Sequence, residues 1–232
     1  MSRLVHQLTR ADLDRITGHF LQLDAEDRRL RFGAALDDAG LRAYCAQLDF
    51  DQGALFGVVG VFGASDSDLE LDGVAHLALW RGTGEVGLSV LASARGEGIG
   101  SLLFDRALLH ARNSGVAELF MHSLRENQAI RHIAQRAGMR IVTDANEADA
   151  FLELPPATPF TIGQELYEQQ CALIDWTLMH QMAARAQLAQ LAQLAKTAKT
   201  ATTAKTATTA RATASSSTSR AADSSRNRRV SP

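Results

Sequence analysis

The sequence has few cysteines and no long apolar run. Its two cysteines, Cys45 and Cys171, lie far apart, without a CxxC spacing or a cluster of histidines, so neither a disulfide framework nor a zinc site is predicted. No stretch approaches the roughly 18 consecutive apolar residues that a membrane span needs, and the first residues contain no apolar signal segment. We therefore expect a cytoplasmic protein without a membrane partner.

Lysine is also scarce, and its placement divides the chain. All three lysines, Lys196, Lys199 and Lys205, lie after residue 195. Residues 196–232 hold eight Lys or Arg against one Asp, a net charge of +7, so the preceding 195 residues carry −9 of a total formal charge of −2. An acidic body attracts cationic amines such as polyamines, lysine side chains or amino-group antibiotics.

The basic tail, residues 196–232, is a near-repeat of Ala, Lys and Thr with no apolar residue larger than Ala until Val230. Such a segment cannot offset its ordering entropy by burial, so we expect it to be disordered. Its spaced charges allow weak nonspecific contact with nucleic-acid phosphates. An inert solubilising extension is another interpretation.

Composition elsewhere indicates one globular domain, residues 1–160, followed by a helical extension, residues 161–195. The hydrophobic content of 46% is enough to bury a core. Prolines end the domain, and Thr161 with Gln164 has the spacing of a capping box at the start of the helix. A leucine stripe on this helix, including Leu188, Leu191 and Leu194, allows a homodimer or packing back on the domain.

Hydrophobic periodicity predicts a mixed α/β fold for the domain. Three consecutive strand candidates, 55–62, 69–80 and 85–91, are separated by the short polar or Gly-containing turns of antiparallel hairpins. A helix, a strand, a helix and two further strands follow Gly100, which is typical of βαβ units. We predict a largely antiparallel central sheet flanked by helices. The elements outside the hairpins are predicted as strand 4–8, helices 11–23, from 24 and 38–48, helix 101–113, strand 116–123, helix 128–137, and strands 139–143 and 150–154.

The most informative segment is Arg95–Gly100, a glycine-rich turn between a strand and a helix. Glycines allow successive backbone N–H groups to point into one concavity at a helix N-terminus, which together with the Arg95 guanidinium suits a pyrophosphate. A Walker A loop is excluded because Gly-Lys-Ser/Thr is missing, and a Rossmann loop is disfavoured because an antiparallel meander precedes the turn. The coenzyme A pyrophosphate remains.

At these residues the chain resembles the GNAT N-acetyltransferase superfamily, whose signature Arg95, Gly98 and Gly100 fill. Val90 stands five residues earlier, where the family's fourth strand splays, and Asn127 matches the family's asparagine. The resemblance covers about residues 3–154 and implies acetyl-CoA as cosubstrate. The coenzyme-binding residues that it implies are Leu88, Ser89, Val90, Arg95, Gly96, Glu97, Gly98, Ile99, Gly100, Ser101 and Asn127.

Acetyl transfer to an amine needs a base, because a lysine side chain has a pKa of about 10.4. Glu85 resembles in position the glutamate base of histone-type members and is the first candidate. Glu70, Asp72 and His76 on the preceding strand are second choices. A backbone N–H near Ser89 or Val90 is expected to stabilise the oxyanion.

The general acid is not apparent in the sequence. Many members of the superfamily place a tyrosine seven residues after the asparagine, and Ala134 occupies that position here. Ser123, His122 or His132 substitutes, or the thiolate leaves without a side-chain acid. The expected function is transfer of an acetyl group from acetyl-CoA to a primary amine, either a small cationic amine or a protein lysine or N-terminus. Acetylation in cis of the tail lysines is a further interpretation of residues 196–232. The alternative to an enzyme is a non-catalytic module that senses acetyl-CoA.

Overall fold

The computed structural model describes residues 3–60 and 70–226. The order of helices and strands follows the prediction from the hydrophobic pattern. The turn predicted at residues 65–68 lies outside the described residues. The elements are β1 His6–Leu8, α1 Leu13–Gln22, α2 Ala25–Phe32, α3 Asp38–Ala46, β2 Gly53–Val59, β3 Leu71–Trp80, β4 Thr83–Val90, α4 Ile99–Asn113, β5 Glu118–Leu124, α5 Gln128–Arg136, β6 Arg140–Asp144, β7 Glu147–Glu153 and α6 Pro159–Arg226.

The seven strands form one sheet in the order β1-β2-β3-β4-β5-β7-β6. Neighbouring strands are antiparallel except β4 and β5, which are parallel, so the prediction of a mixed, largely antiparallel sheet is confirmed. The ladder between β4 and β5 is short: it ends at the pair formed by Glu85 and Phe120. Residues 86–90 of β4 therefore have no partner in β5, and the sheet opens there.

Helices cover both faces of the sheet and give it two apolar cores. On the face that we call the front, α1 and α3 bury residues such as Phe20 and Leu41 against Leu55 and Val74. On the back, α4 and α5 bury residues such as Phe104 against Leu77 and Leu88. Side chains alternate along a strand, so Glu85, Gly87 and Ser89 of β4 project to the front. The helices that the structure describes include none with both the length and the apolar character needed to cross a bilayer.

The last helix, α6, begins at Pro159, two residues before the predicted cap, Thr161. The Thr158 N–H donates to the Thr161 hydroxyl at 3.0 Å and the Thr161 N–H donates to the Thr158 hydroxyl at 3.2 Å. The predicted pairing of Thr161 with Gln164 was wrong because Pro159 is well suited to the first helical position, where no N–H is needed.

The helix then continues to Arg226, through a segment for which the sequence predicts disorder. Alanine has the highest helix propensity, and the Ala, Lys and Thr repeat after residue 195 therefore favours a helical backbone. The same repeat offers no large apolar side chain for tertiary packing, from which most helices in proteins gain their stability. Disorder of residues 196–232 in solution stays a prediction.

The chain divides into two compact units, residues 1–181 and residues 182–232. In the first unit, α6 packs through Ala172 and Trp176, among others. In the second unit, Leu188, Leu191 and Leu194 are exposed. The boundaries predicted from the sequence, at residues 160 and 195, stay predictions.

A buried polar cluster attaches α6 to α4. The Glu165 carboxylate accepts hydrogen bonds from Arg106 at 2.9 Å, His110 at 2.7 Å and Asn113 at 2.7 Å. Burial raises the pKa of Glu165, but these three donors outweigh burial and lower the pKa from 4.5 to about 2. Since the folded-state pKa is depressed, the cluster stabilises the fold above the ordinary carboxyl pKa and loses this contribution as the pH falls towards 2.

Replacing Glu165 with alanine is expected to destabilise the protein by about 3 kcal/mol at neutral pH, because the buried Arg106 guanidinium loses the carboxylate to which it is hydrogen-bonded and keeps only the more distant Glu168. The matched control is Glu168→Ala on the same helix, whose carboxylate is partly exposed and 3.9 Å from Arg106; we expect it to cost under about 1 kcal/mol. Urea unfolding at pH 7 and pH 3 measures both. A difference between Glu165→Ala and the parent protein that does not shrink at pH 3 contradicts the assignment.

Candidate functional site

The opening between β4 and β5 exposes two backbone amides. The Leu91 N–H donates to the Asp72 carbonyl of β3 at 2.8 Å. Because N–H groups alternate in direction along a strand, the amide of Ser89 also points to β3, whereas those of Leu88 and Val90 point into the opening. Of the two amides predicted to stabilise an oxyanion, the one at Val90 has the required direction.

The glycine-rich turn lies beside this opening and leads into α4. Gly96 and Gly98 have φ values of 82° and 78°, in the left-handed region that glycine adopts without strain, and Gly98 is the N-cap of α4. The first N–H groups of α4, beginning with Ile99, have no partner within the helix. The turn therefore forms an anion-binding concavity at a helix N-terminus.

A cavity of about 570 Å³ follows the opening from β4 to α5. Ten of the eleven residues predicted to bind coenzyme A line it, and the exception is Glu97. Glu97 instead pairs with Arg3 at 2.5 Å. At the bottom of the turn, a Cβ on Gly100 would lie 3.1 Å from Ile133, so glycine allows α5 to approach closely. The glycine pattern in the sequence thus locates the cavity.

Helix α2 crosses the opening and is attached on both sides. Asp27 forms an ion pair with Arg95 of the glycine-rich turn. On the other side, Arg29 pairs with Glu126 at 2.6 Å, and the Leu30 carbonyl accepts from the Asn127 amide at 3.4 Å. The Asn127 side chain also caps α5 by accepting from the Ile130 N–H at 3.2 Å.

Four polar side chains form a cluster on the front face beside the cavity: Arg31, Tyr44, His76 and Glu85. The Tyr44 hydroxyl accepts from Arg31 at 3.5 Å and donates to His76 Nδ1, 3.0 Å away. Burial and the charge of Arg31 lower the pKa of His76 to about 4, so the ring is neutral at pH 7 and can accept this bond. Of these four, Arg31 lines the cavity.

Glu85, the predicted base, is exposed at the point where the sheet opens. Its side chain is not part of the cavity lining. Burial raises the pKa of the Tyr44 hydroxyl, and the charge of Glu85 adds to the rise, so Glu85 belongs electrostatically to the front-face cluster. Among the second choices, Asp72 pairs with Arg3, and neither Asp72 nor Glu70 lines the cavity.

The candidates for a general acid occupy different surroundings. Ser123 is buried and donates to the Ala148 carbonyl at 3.1 Å, and His122 bonds to Asp149 at 2.7 Å. His132 is exposed and lines the cavity. Ala134 is buried in the back core, so the family's tyrosine position does not face the cavity here.

The sequence did not single out His19, Arg31 and Tyr44. His19 donates through Nδ1 to the Leu71 carbonyl and accepts through Nε2 from the Ser89 hydroxyl, both at 2.8 Å. Burial lowers the pKa of His19 to about 4, which agrees with a neutral ring. His19, Arg31 and Tyr44 lie on α1, α2 and α3. The amphipathic pattern of a helix predicts that it packs on the sheet, but it does not indicate which polar residue faces β4.

Comparisons with known proteins agree with this geometry. The sequence matches the model of the acetyltransferase (GNAT) family over residues 7–139, more than half of the chain. No curated protein sequence matches the chain.

Among solved structures, the chain is similar to the GNAT domain of S. lividans PAT, with 18% identity, a TM-score of 0.53 and coverage of 65% of this chain and 89% of the other. An N-acetyltransferase from Staphylococcus aureus Mu50 gives 18% identity, a TM-score of 0.53 and coverage of 67% and 100%. A spermidine N-acetyltransferase from Vibrio cholerae, in complex with CoA and spermine, gives 15% identity, a TM-score of 0.52 and coverage of 65% and 95%.

At these identities the likeness concerns the fold. With the family match, it establishes that the chain belongs to the acetyltransferase (GNAT) family, the N-acyltransferases that use acyl-coenzyme A.

Proposed function

We propose that the protein transfers an acetyl group from acetyl-CoA to a primary amine. The observation that carries this proposal is that the glycine-rich turn and the unpaired amides of Leu88 and Val90 line one cavity, and that Arg31 joins this cavity to the front-face cluster that contains Glu85. The turn suits a pyrophosphate, the amides suit a pantetheine arm and a thioester oxygen, and the cluster supplies a carboxylate for the amine.

In this mechanism the amine nitrogen attacks the thioester carbonyl and a proton passes to Glu85, directly or through water. The Val90 N–H, directed into the opening, stabilises the oxyanion of the tetrahedral intermediate. The C–S bond then breaks, the amide product forms, and coenzyme A leaves as a thiolate. His132 lines the cavity and can protonate the thiolate.

The acceptor is a small-molecule amine or a protein amine. The net charge of −9 on the first 195 residues favours a cationic amine through the long-range field. The similar fold of the Vibrio cholerae spermidine N-acetyltransferase is compatible with such an acceptor.

Thermal unfolding with added acetyl-CoA tests the coenzyme site. Ligand at 100 times its dissociation constant adds about 2.7 kcal/mol of stability, which raises the Tm by about 5 to 10 °C for a chain of this size. Release of free coenzyme A thiol with a panel of amines then tests turnover. No Tm shift at millimolar acetyl-CoA overturns the proposal.

A second candidate function is a module that binds acetyl-CoA and regulates a partner without turnover. The observation that favours it is Ala134, a small apolar residue in the back core where many members of the family place a catalytic tyrosine. A Tm shift without thiol release from any amine supports this alternative.

Asp27 is expected to compete with the coenzyme for Arg95. We predict that Asp27→Asn tightens acetyl-CoA binding about two- to fivefold, because a partly exposed ion pair contributes up to about 1 kcal/mol and the carboxylate also repels a diphosphate. Glu26→Gln on the same helix, outside the cavity, is the control. Calorimetric titration at low salt measures both, and weaker binding by Asp27→Asn contradicts the prediction.

A further inference from the structure

The Arg31 guanidinium rests directly on the backbone of β4. A Cβ on Gly87 would lie 2.5 Å from Arg31 Nη1 and 2.6 Å from its Cζ. The guanidinium also contacts the Phe32 ring, with 5.0 Å between Cζ and the ring centroid. The missing side chain at residue 87 therefore provides the space in which the guanidinium lies.

The charge of Arg31 has no anionic partner among the residues that the structure describes. Its Nε is buried there without a hydrogen-bond partner, and the Tyr44 hydroxyl is its only bonded side chain within the same residues. The other arginine of the cavity wall, Arg95, pairs with Asp27. A half-buried guanidinium without a counter-ion indicates that a ligand supplies the anion.

The position of Arg31 separates it from the expected pyrophosphate site. Gly87 lies three residues before Val90 on β4, about 10 Å along the strand, and the glycine-rich turn begins beyond that. Gly87, against which Arg31 lies, is only two residues from Glu85 and on the same face of the sheet. The positions of Arg31 and Glu85 along β4 are therefore about 7 Å apart. The anion that Arg31 binds is thus on the acceptor side of the reacting carbonyl.

The charge of Arg31 also lowers the pKa of both His19 and His76, although burial is the larger cause. Both rings are neutral near pH 7, so Arg31 is the fixed positive charge at this point of the cleft. Arg31 therefore repels an amine that carries only positive charge, even though the acidic body attracts such an amine at long range.

From this arrangement we infer that the acceptor is an amine that also carries a carboxylate, as an amino acid does. Arg31 binds the carboxylate and orients the amine towards Glu85. The ammonium group of such a zwitterion is attracted by the acidic body, and its carboxylate is attracted by Arg31. The inference rests on the proposed acetyl transfer.

Matched acceptors test the inference. We expect amino acids to have a kcat/KM at least about tenfold above that of their primary amides, and lysine to exceed 1,5-diaminopentane by a similar factor. In Arg31→Gln both ratios should fall to near one, while the Kd for acetyl-CoA changes less than about twofold. Arg31→Lys should retain part of the preference.

Gly87→Ala provides an independent variant. The three atoms nearest to its Cβ all belong to the flexible end of Arg31, so the fold should persist while the acceptor ratios fall as in Arg31→Gln. Two results would overturn the carboxylate assignment without affecting the proposed acetyl transfer. One is a parent protein that prefers amides or diamines, and the other is a pair of acceptor kcat/KM ratios that neither variant changes. No turnover with any amine overturns both.

A different observation concerns the solvent side of α6 in the first unit. Every exposed residue from Pro159 to Leu178 is uncharged. The charged residues of this segment, Glu165, Glu168 and Asp175, lie on or beside the side that packs on the domain. The exposed side is also apolar, with fractional exposures between 45% and 78% for its large side chains: Phe160, Ile162, Leu166, Tyr167, Leu173, Ile174 and Leu178.

The occupant that fits this surface is a second copy of the chain. Phe160, Tyr167, Ile174 and Leu178, with Gln164 and Cys171 between them, follow the alternating spacing of four and three residues by which helices pair. Two acidic domains can meet through the uncharged residues of this surface, since the carboxylates beside it, Glu168 and Asp175, are only partly exposed and lie next to Arg106 and His6. A lipid surface fits less well, because the neighbouring charges are acidic and interfacial helices carry Lys or Arg.

The area is sufficient for a stable pair. Seven large apolar side chains that each expose about half of their surface offer on the order of 700 Å² per copy, near the ~800 Å² per partner of standard interfaces. We propose that the protein is a homodimer joined through residues 160–178 of α6.

Light scattering with size-exclusion chromatography tests the dimer. We expect the full chain at micromolar concentration to have twice the chain mass of 25.0 kDa. The double variant Tyr167→Glu and Ile174→Glu should be monomeric with an unchanged circular dichroism spectrum. Val142→Glu, an exposed apolar position on β6, is the control and should remain dimeric. A monomeric parent protein, or a dimer that the double variant does not affect, overturns the proposal.

Discussion

Gly98→Glu is expected to raise the Kd for acetyl-CoA by more than about 100-fold. The new carboxylate lies at the N-cap of α4, where a diphosphate would accept charge-assisted hydrogen bonds, and each such bond contributes about 1.5 to 3 kcal/mol. A loss of 2.8 kcal/mol corresponds to about 100-fold in affinity. Calorimetric titration of acetyl-CoA measures the change directly.

Backbone strain has to be separated from this effect, because any L-residue at the φ of 78° of Gly98 is strained. Gly115 follows the C-terminus of the same helix with a φ of 80°, and neither glycine has an atom near its missing Cβ. Gly115→Glu is therefore the matched control, with a comparable loss of about 1 to 2 kcal/mol in stability. We expect it to bind acetyl-CoA normally. Equal loss of binding in both variants contradicts the proposed coenzyme site.

Glu85→Gln is expected to lower kcat/KM about 100- to 10,000-fold at neutral pH, because general-base catalysis typically contributes that much. The Kd for acetyl-CoA should not change, since Glu85 lies outside the cavity lining. The rate of the variant should rise with pH as the free amine form of the acceptor increases, so the deficit shrinks at alkaline pH. Initial rates of thiol release between pH 6 and 10 measure this profile.

Glu118→Gln is the control for that experiment. Glu118 lies on the same face of the sheet, on β5, beside Thr83 and two pairs before the end of the β4–β5 ladder. Glu118 has the same side chain as Glu85 but lies farther from the opening. The kcat/KM of Glu118→Gln should therefore stay within about twofold of that of the parent protein. A similar deficit in both variants assigns the effect to surface charge and removes Glu85 as the base.

The fold could be predicted from the sequence because its elements have clear periodicity. β2 is a continuous apolar run of strand length, β4 alternates Val86, Leu88 and Val90 with small or polar residues, and the helix after Gly100 buries residues such as Leu103 and Ala107 on one side. The start of α6 was misplaced, since two threonines three residues apart compete for the cap and the proline between them decided the outcome.

The conformation of the glycine-rich turn was predictable for a similar reason. Glycines at left-handed positions leave a sequence pattern, and Gly96 and Gly98 have the required φ values. The surroundings of Arg31 were not predictable. Arg31 is one of three arginines in α2, and only tertiary packing shows that it, unlike Arg28 or Arg29, faces β4 without a carboxylate.

The short ladder between β4 and β5 has a consequence for amide hydrogen exchange. In the ligand-free protein the N–H groups of Leu88 and Val90 have no strand partner, whereas those of Gly87 and Ser89 point towards β3. Deuterium should therefore enter β4 at every second residue, a pattern that a fully paired strand does not give. If added coenzyme protects the Leu88 and Val90 amides from exchange, these residues would identify the part of β4 whose free N–H groups bind the ligand.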